Sequence, residues 1–146
     1  MKSLCFFVLL LMVSACGGGR ERVVSPGRGG VAEERGPMVR VFPSGRESVE
    51  ARHGRWRGLD ASGRRVWEVR YTRGNPSGPY REWNAEGVMI ATWPYDWDGN
   101  LVGWLRWFEE DGTPGFKFQM RGEQPDFDPI GQAERLKAWA KTQVEE

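Results

Sequence analysis

The chain has 146 residues, a formal net charge of +1, and eight Trp, nine Pro and twenty Gly. That length suffices for one modest domain, and many aromatic residues among many turn-forming residues favour short strands over a helical bundle. The balanced charge argues against a dedicated nucleic-acid binder, and one His with two Cys offers little material for a metal centre, so we predict no cofactor and no catalytic activity.

The N-terminus has the pattern of a secretory signal. Its apolar run from Leu4 to Val13 is about half the roughly 20 residues that span a membrane. The run ends in Val13-Ser14-Ala15-Cys16, which resembles the lipobox of bacterial lipoproteins. This resemblance implies that residues 1–15 are removed and that Cys16 carries the lipid anchor. An ordinary secretory signal cleaved near Ala15, which would leave Cys16 as a free thiol, is the alternative.

The lipoprotein resemblance also implies a location. Such proteins are lipid-anchored in the bacterial cell envelope and face the periplasm. In enteric bacteria, Gly17 in place of Asp after the lipidated cysteine implies sorting to the outer membrane. More than one acyl chain on the anchor gives stable attachment.

The segment 16–37 differs in composition from the rest of the chain. It contains Gly, Pro, Arg and Glu but no aromatic residue and no sustained apolar period. Such a segment buries too little surface to offset the entropy lost on ordering. We therefore predict a flexible tether with an r.m.s. span of roughly 25 Å for some twenty residues.

The central region repeats itself. Gly54, Gly78 and Gly103 are each followed nine residues later by a second glycine, and both series advance by 24 and then 25 residues. Alternating apolar runs lie between these glycines. Period-two alternation bounded by turn residues predicts one β-hairpin per repeat, and the hairpins should pair edge to edge in an antiparallel meander.

This pattern resembles the MORN-variant repeat, in which glycine, an aromatic residue and a second glycine recur at fixed spacing. The resemblance covers about residues 45–122. It implies an elongated single-layer sheet used for association and carries over no catalytic residue. We predict a repeat domain over 38–122, in which 38–52 forms a degenerate leading hairpin.

The C-terminal segment 123–146 is predicted to be a linker and one α-helix. Asp128 and Pro129 suit the N-cap and first position of a helix over about 129–144. Ile130, Ala133 and Leu136 begin an apolar series at helical spacing. The fold class is therefore mainly β, and the helix should cover part of one sheet face.

Two groups of side chains are candidates for partner binding. Arg57, Arg81 and Arg106 occupy the same place in the three repeats, so paired hairpins should align them on one face. They could bind an anionic partner, or they could pair with nearby acids such as Glu68 across the strands. The second group is an exposed aromatic patch of Trp97, Trp104 and Trp107. Trp67, Trp93 and Phe118 should instead face the buried side.

Other polar clusters have simpler interpretations. Residues 96–100 lack the ligand phase of a calcium loop and predict a tight hairpin turn. Glu109, Glu110 and Asp111 predict a charged turn, and His53 has no partner for a ligand or base role.

The sequence thus favours a membrane-anchored, non-catalytic binding or scaffold module for a protein or an envelope component. The alternatives are an antitoxin or immunity-type protein that neutralises one partner, and a binder of anionic lipid or glycan.

Overall fold

The computed structural model describes residues 21–44 and 47–144. The predicted signal sequence and Cys16 lie outside these residues. Within the described part of the chain, nine strands form one sheet and one α-helix follows them. The strands are β1 (Glu21–Val24), β2 (Glu33–Val41), β3 (Val49–Arg52), β4 (Gly54–Leu59), β5 (Arg65–Thr72), β6 (Asn75–Trp83), β7 (Met89–Tyr95), β8 (Trp104–Phe108) and β9 (Pro114–Gln119), and the helix is α1 (Ala133–Thr142).

The sheet is an open antiparallel meander. Its strand order is β1-β2-β4-β5-β6-β7-β8-β9, and β3 pairs with the second half of β2. The three predicted repeats form the hairpins β4/β5, β6/β7 and β8/β9. The leading hairpin over 38–52 is also present, because 38–41 pair with 49–52. The predicted fold, a mainly β meander of hairpins with one C-terminal helix, is confirmed.

The hairpin turns share one geometry because a glycine recurs at the same place in each. After β4, the Asp60 amide donates to the Arg64 carbonyl over 2.9 Å, and Gly63 has a φ of 81°. After β6, Asn84 donates over 2.9 Å and Gly87 also has a φ of 81°. Glycine adopts this left-handed conformation at little steric cost. The second glycine of each repeat therefore lies in the turn that joins the two strands of a hairpin.

One face of the sheet, here called the covered face, carries the core. Residues 25–32, which contain a 3-10 turn at Arg28–Gly30, and residues 123–144 lie across it. Trp67 and Trp93 are buried there as predicted, and Phe118 is partly buried against the same core. The other buried strand residues of the core are Trp56, Val69, Tyr71, Tyr80, Ala91, Tyr95, Leu105 and Trp107. The opposite side is here called the open face.

The prediction of a flexible tether is wrong from residue 21 onward. Residues 21–24 pair with 34–37, and 33–35 pair with 57–59, so the sheet begins 17 residues before the predicted boundary at 38. This polar segment is ordered by backbone hydrogen bonds to its neighbours and by the buried side chains of Val31 and Glu34. Neither contribution produces an apolar period in the sequence.

The helix is shorter than predicted. Asp128 does not cap it. Its Oδ1 atom accepts a hydrogen bond from the Ile130 amide over 3.1 Å, which closes a turn before the helix. Gly131 then has a φ of 70°, which is incompatible with a helical path, and α1 begins at Ala133. The predicted apolar face is correct, because Ile130 is buried in the turn and Ala133 and Leu136 are buried in the helix.

Candidate binding surface

The predicted arginine row exists on the open face. Adjacent strands pair so that one residue of each follows the last across the sheet, in the order Arg35, Arg57, Glu68, Arg81, Thr92, Arg106 and Lys117. The three repeat arginines stand two strands apart. Since neighbouring strands are about 4.8 Å apart, their backbone positions recur roughly every 10 Å. This register confirms that Arg57, Arg81 and Arg106 share one face.

One acid lies within the row. The Glu68 carboxylate is 3.2 Å from Arg65 and 3.7 Å from each of Arg55 and Arg57. The side chain of Glu68 is 11% exposed, whereas those of the three arginines are 45–61% exposed. The predicted cross-strand pairing is thus confirmed for Arg57. Among the described residues, no acidic side chain forms an ion pair with Arg81 or Arg106.

The open face is basic although the whole chain is almost neutral. Strand alternation places on it Arg35, Arg55, Arg57, Arg70, Arg81, Arg106 and Lys117. Arg65 joins them because the register shifts between Gly58 and Leu59, and it contacts Glu68 and Trp83. The acids that the same alternation places there are Glu21, Glu33 and Glu68. Many other acids lie in turns or on the covered face, such as Asp60, Asp111 and Glu34. Net charge alone cannot reveal this separation, which depends on the strand register.

A second row runs beside the arginines. Two residues after each repeat arginine, the open face carries Leu59, Trp83 and Phe108. All three side chains are partly exposed. The Arg65 guanidinium lies 3.9 Å from the centroid of the Trp83 ring. Each repeat therefore presents one cation and one apolar group side by side.

Three depressions follow these rows across the sheet. The first has a volume of about 720 Å³ and is lined by Arg35, Arg55, Arg57, Arg65 and Leu59, among others. The second, of about 330 Å³, lies beside the stacked Arg65 and Trp83 side chains, next to the turn over residues 84–87. The third, of about 420 Å³, lies among Trp104, Arg106, Phe108 and Lys117. Every depression combines a cation with an apolar side chain.

The predicted aromatic patch is only partly correct. Trp97 is 77% exposed in the turn between β7 and β8, and Trp104 is 41% exposed on the open face. Trp107 is 2% exposed, so its assignment to an exposed patch is wrong. It shares the covered face with Leu105, and its Nε1 atom donates to the Ala133 carbonyl over 2.9 Å. Strict alternation within β8 would have identified this orientation.

The turn over 96–100 and His53 both use their side chains to accept hydrogen bonds from the backbone. Asp96 closes the turn over 96–100, and its Oδ1 atom accepts from the amides of Asp98 and Asn100, each over 2.9 Å. His53 is exposed at the break between β3 and β4, where its Nδ1 atom accepts from the Arg73 amide over 3.4 Å. In the described ranges 21–44 and 47–144, no group of three or more acidic, His or Cys residues could hold a metal ion.

Sequence reasoning missed a buried ion cluster on the covered face. Glu34 is 1% exposed and accepts hydrogen bonds from the backbone and side chain of Arg28 and from the Arg52 guanidinium. Burial alone would raise the pKa of Glu34, but the bonds from Arg28 and Arg52 outweigh it and the pKa lies below its ordinary value. Arg28 also donates to Asp128 over 2.7 Å and to the Tyr71 hydroxyl over 2.6 Å. This cluster joins the N-terminal and C-terminal segments.

A second buried carboxyl group has a different environment. The Tyr80 hydroxyl donates to Glu82 over 2.6 Å and accepts from the Gly131 amide over 2.8 Å. Burial raises the pKa of Glu82, and the hydrogen bonds from Tyr80 and the Ala133 amide offset only part of this effect. Tyr80 is 0% and Glu82 is 8% exposed, so the pair holds the C-terminal segment and does not face solvent.

No helix of the described residues is long and apolar enough to cross a membrane. Comparison with protein-family models gives no match, and comparisons with curated proteins and with solved structures give no significant match either.

Proposed function

We propose that the protein is a lipid-anchored binding module of the bacterial cell envelope, without catalytic activity, whose open face binds a protein or an envelope component. The observation that carries this proposal is the division between the two faces. One face is covered by two segments of the chain, whereas the other presents an in-register row of arginines with partly exposed apolar side chains. A repeated surface of this kind suits recognition of an extended anionic partner.

The anchor in this proposal is Cys16, at the end of the lipobox-like Val13-Ser14-Ala15-Cys16. The first described strand begins at Glu21, so four residues, 17–20, connect it to the proposed lipidated cysteine. The five residue-to-residue steps from 16 to 21 reach at most about 18 Å, which would keep the sheet closer to the membrane than the predicted tether of roughly 25 Å. The MORN-like repeats would then act next to the headgroups.

Metabolic labelling with a palmitate analogue tests the anchor. We expect label on the wild-type chain and none on Cys16→Ala, which should also leave the membrane fraction. Label or membrane retention in Cys16→Ala would contradict lipidation at this residue.

Cross-linking in native membranes, followed by purification of the tagged lipoprotein, tests the binding surface. We expect a partner that is recovered with the wild type and lost with Arg57→Gln/Arg81→Gln/Arg106→Gln. Recovery of the same partner with both proteins would exclude the arginine row as its site.

An antitoxin or immunity-type role is the second candidate. The exposed Trp97 favours it, because a large aromatic side chain on a hairpin turn can anchor a protein interface. This role predicts one tight stoichiometric protein partner whose binding depends on Trp97. Trp97→Ala should abolish its recovery from the cross-linked membranes, while the triple arginine variant should leave it unchanged.

A further inference from the structure

We propose that the open face binds a linear acidic glycan that lies across the strands, with its anionic groups on the arginine row and its sugar rings on the apolar row. This inference rests on the proposed binding function and names the chemical class of the ligand. The arginine row is Arg35, Arg57, Arg81, Arg106 and Lys117, and the apolar row is Leu59, Trp83 and Phe108.

The direction of the site is set by the register. The arginine row crosses from β2 to β9, perpendicular to the strands, over six interstrand intervals. These intervals together measure about 29 Å, since each is about 4.8 Å. A ligand that contacts the whole row must therefore be an extended chain rather than a compact small molecule.

The repeat length of the site favours a glycan over an acidic peptide. The repeat arginines recur roughly every 10 Å because they stand on alternate strands. In an extended peptide, side chains on one face recur about every 6.7 Å, so its acids would fall out of step with this row. The length of two linked pyranose rings in an extended chain is close to the roughly 10 Å repeat of the arginines.

The composition of the depressions also favours sugar rings. A guanidinium pairs with a carboxylate or sulfate group, and an apolar or aromatic side chain covers the C–H face of a sugar. Two of the depressions repeat this combination with members of both rows, Arg57 beside Leu59 and Arg106 beside Phe108. In the other, Arg65 stacks on the Trp83 ring and leaves its edge at the depression. In the third depression Trp104 adds a second ring, and Lys117 lies 5.1 Å from its centroid.

The ion pairs within the row explain how the site stays ordered without a ligand. Glu68 holds Arg55, Arg57 and Arg65 around the largest depression, but its contacts to Arg55 and Arg57 are long, at 3.7 Å each. Glu21 also lines this depression and Glu33 pairs with Arg35, so three carboxylates stand against the four guanidinium groups of Arg35, Arg55, Arg57 and Arg65. An incoming acidic group would therefore find positive charge at this end of the row and at Arg81 and Arg106 beyond it.

The test is titration calorimetry of the full chain, purified in a non-ionic detergent, with an octamer of polygalacturonate. The methyl-esterified octamer supplies the same rings without charge, linear polyphosphate supplies charge without rings, and vesicles of anionic phospholipid test a membrane surface. We expect binding of the acidic octamer that weakens with added salt, at least tenfold weaker binding of the ester and of polyphosphate, and no stronger binding to the vesicles.

Variants separate the two rows. Arg57→Gln/Arg81→Gln/Arg106→Gln should weaken binding of the octamer about 10- to 100-fold and reduce its salt dependence. Trp83→Leu/Phe108→Leu should weaken binding about tenfold and leave the salt dependence unchanged. The matched control Arg121→Gln/Lys137→Gln/Lys141→Gln removes equal charge elsewhere and should bind within about twofold of wild type. Thermal unfolding of each variant checks that it is folded, and Arg→Lys replacements at the same three positions should restore the salt dependence.

The proposal would be overturned by no binding of the acidic octamer, by equal binding of its methyl ester or of polyphosphate, by preferential binding to the vesicles, or by an equal loss in the control variant. Palmitate labelling of Cys16 is independent of these titrations. A labelled protein that fails to bind the octamer would refute the glycan and leave the anchored module intact, whereas binding by an unlabelled protein would refute the anchor alone.

Discussion

The two faces of the sheet follow the same repeat, but the residue type varies at a repeated buried position and stays the same at the neighbouring exposed position. On the covered face, the position two after the first glycine is Trp56, Tyr80 and Leu105, and all three are 0% exposed. On the open face, the next position is Arg57, Arg81 and Arg106, the same residue each time. A packed core tolerates changes of shape when apolar volume is kept. Packing on a solvated face does not require arginine. The recurrence of a guanidinium there therefore points to recognition of a partner.

The faces also differ in how they handle charge. Glu34 and Glu82 are buried on the covered face, where each has partners from the chain itself. On the open face, the Arg81 and Arg106 side chains point to solvent and form no ion pair among the described residues. The polar groups of the covered face therefore hold the terminal segments, whereas the open face presents Arg81 and Arg106 without an ion pair among the described residues.

The largest expected effect is a difference in unfolding free energy between alanine variants of two tryptophans in β8, Trp107 and Trp104. Trp107→Ala removes a buried ring and its bond to the Ala133 carbonyl, and should lower the free energy of unfolding by about 3–5 kcal/mol. Trp104→Ala, on the open face, should lower it by less than about 1 kcal/mol. Urea unfolding of both variants measures the difference. Similar losses would contradict the assignment of the two rings to opposite faces.

The next effect concerns the buried ion cluster. Glu34→Gln leaves Arg28 and Arg52 without their carboxylate, and should cost about 3 kcal/mol of unfolding free energy at pH 7. Glu33→Gln is the matched control, because within 21–44 and 47–144 Glu33 pairs with the exposed Arg35 alone, and should cost less than about 1 kcal/mol. Urea unfolding at pH 7 compares the two, and equal costs would mean that the buried cluster contributes no more than the surface pair.

The sequence reveals much of this architecture but little of its N-terminal edge. The 24- and 25-residue glycine spacing predicts the hairpins, and the same 24- and 25-residue spacing of Arg57, Arg81 and Arg106 predicts their common face, because repeats impose their own register. The segment 21–37 shows no such period. Its order depends on pairing with a strand far along the chain and on the buried Glu34, and both are tertiary effects.

The sequence does not reveal the basic open face or the first residue of α1, because both depend on tertiary structure. Charge separation arises only once each strand has a register, so it is absent from a count of Arg and Glu. Asp128 and Pro129 are a common helix start, yet the positive φ of Gly131 delays the helix. The contact of the Gly131 backbone with Gly29 explains that local conformation, and it links residues about a hundred positions apart.

This contact allows a direct comparison of two adjacent glycines in the segment that covers the sheet. A Cβ atom at Gly29 would overlap the backbone of Gly131, whereas one at Gly30 meets no atom within 4 Å. Both have a positive φ, so either alanine should cost about 1 kcal/mol in backbone conformation. Gly29→Ala should cost about 1–2 kcal/mol more than Gly30→Ala by thermal unfolding, because the two terminal segments must separate. Equal costs would show that the contact contributes no stability.

The smallest effect compares the two buried carboxyl groups of the covered face, whose pKa values move in opposite directions from an ordinary 4.5. The folded protein binds a proton at Glu82 more tightly than the unfolded chain does, so Glu82 costs stability as the pH rises above 4.5. For Glu34 the unfolded chain takes up the proton first, so its contribution is complete above 4.5 and is lost as the pH falls below it. Glu82→Gln should therefore become more stable relative to wild type as the pH rises from about 4.5 to about 7, whereas Glu34→Gln should become less stable relative to wild type as the pH rises from about 3 to about 4.5. Urea unfolding at about pH 3, 4.5 and 7 measures both trends, and the exposed turn variant Glu86→Gln is the control for loss of a carboxylate. If both buried variants changed in the same direction with pH, the different environments assigned to Glu34 and Glu82 would be wrong, because only opposite pKa shifts on one face produce opposite slopes.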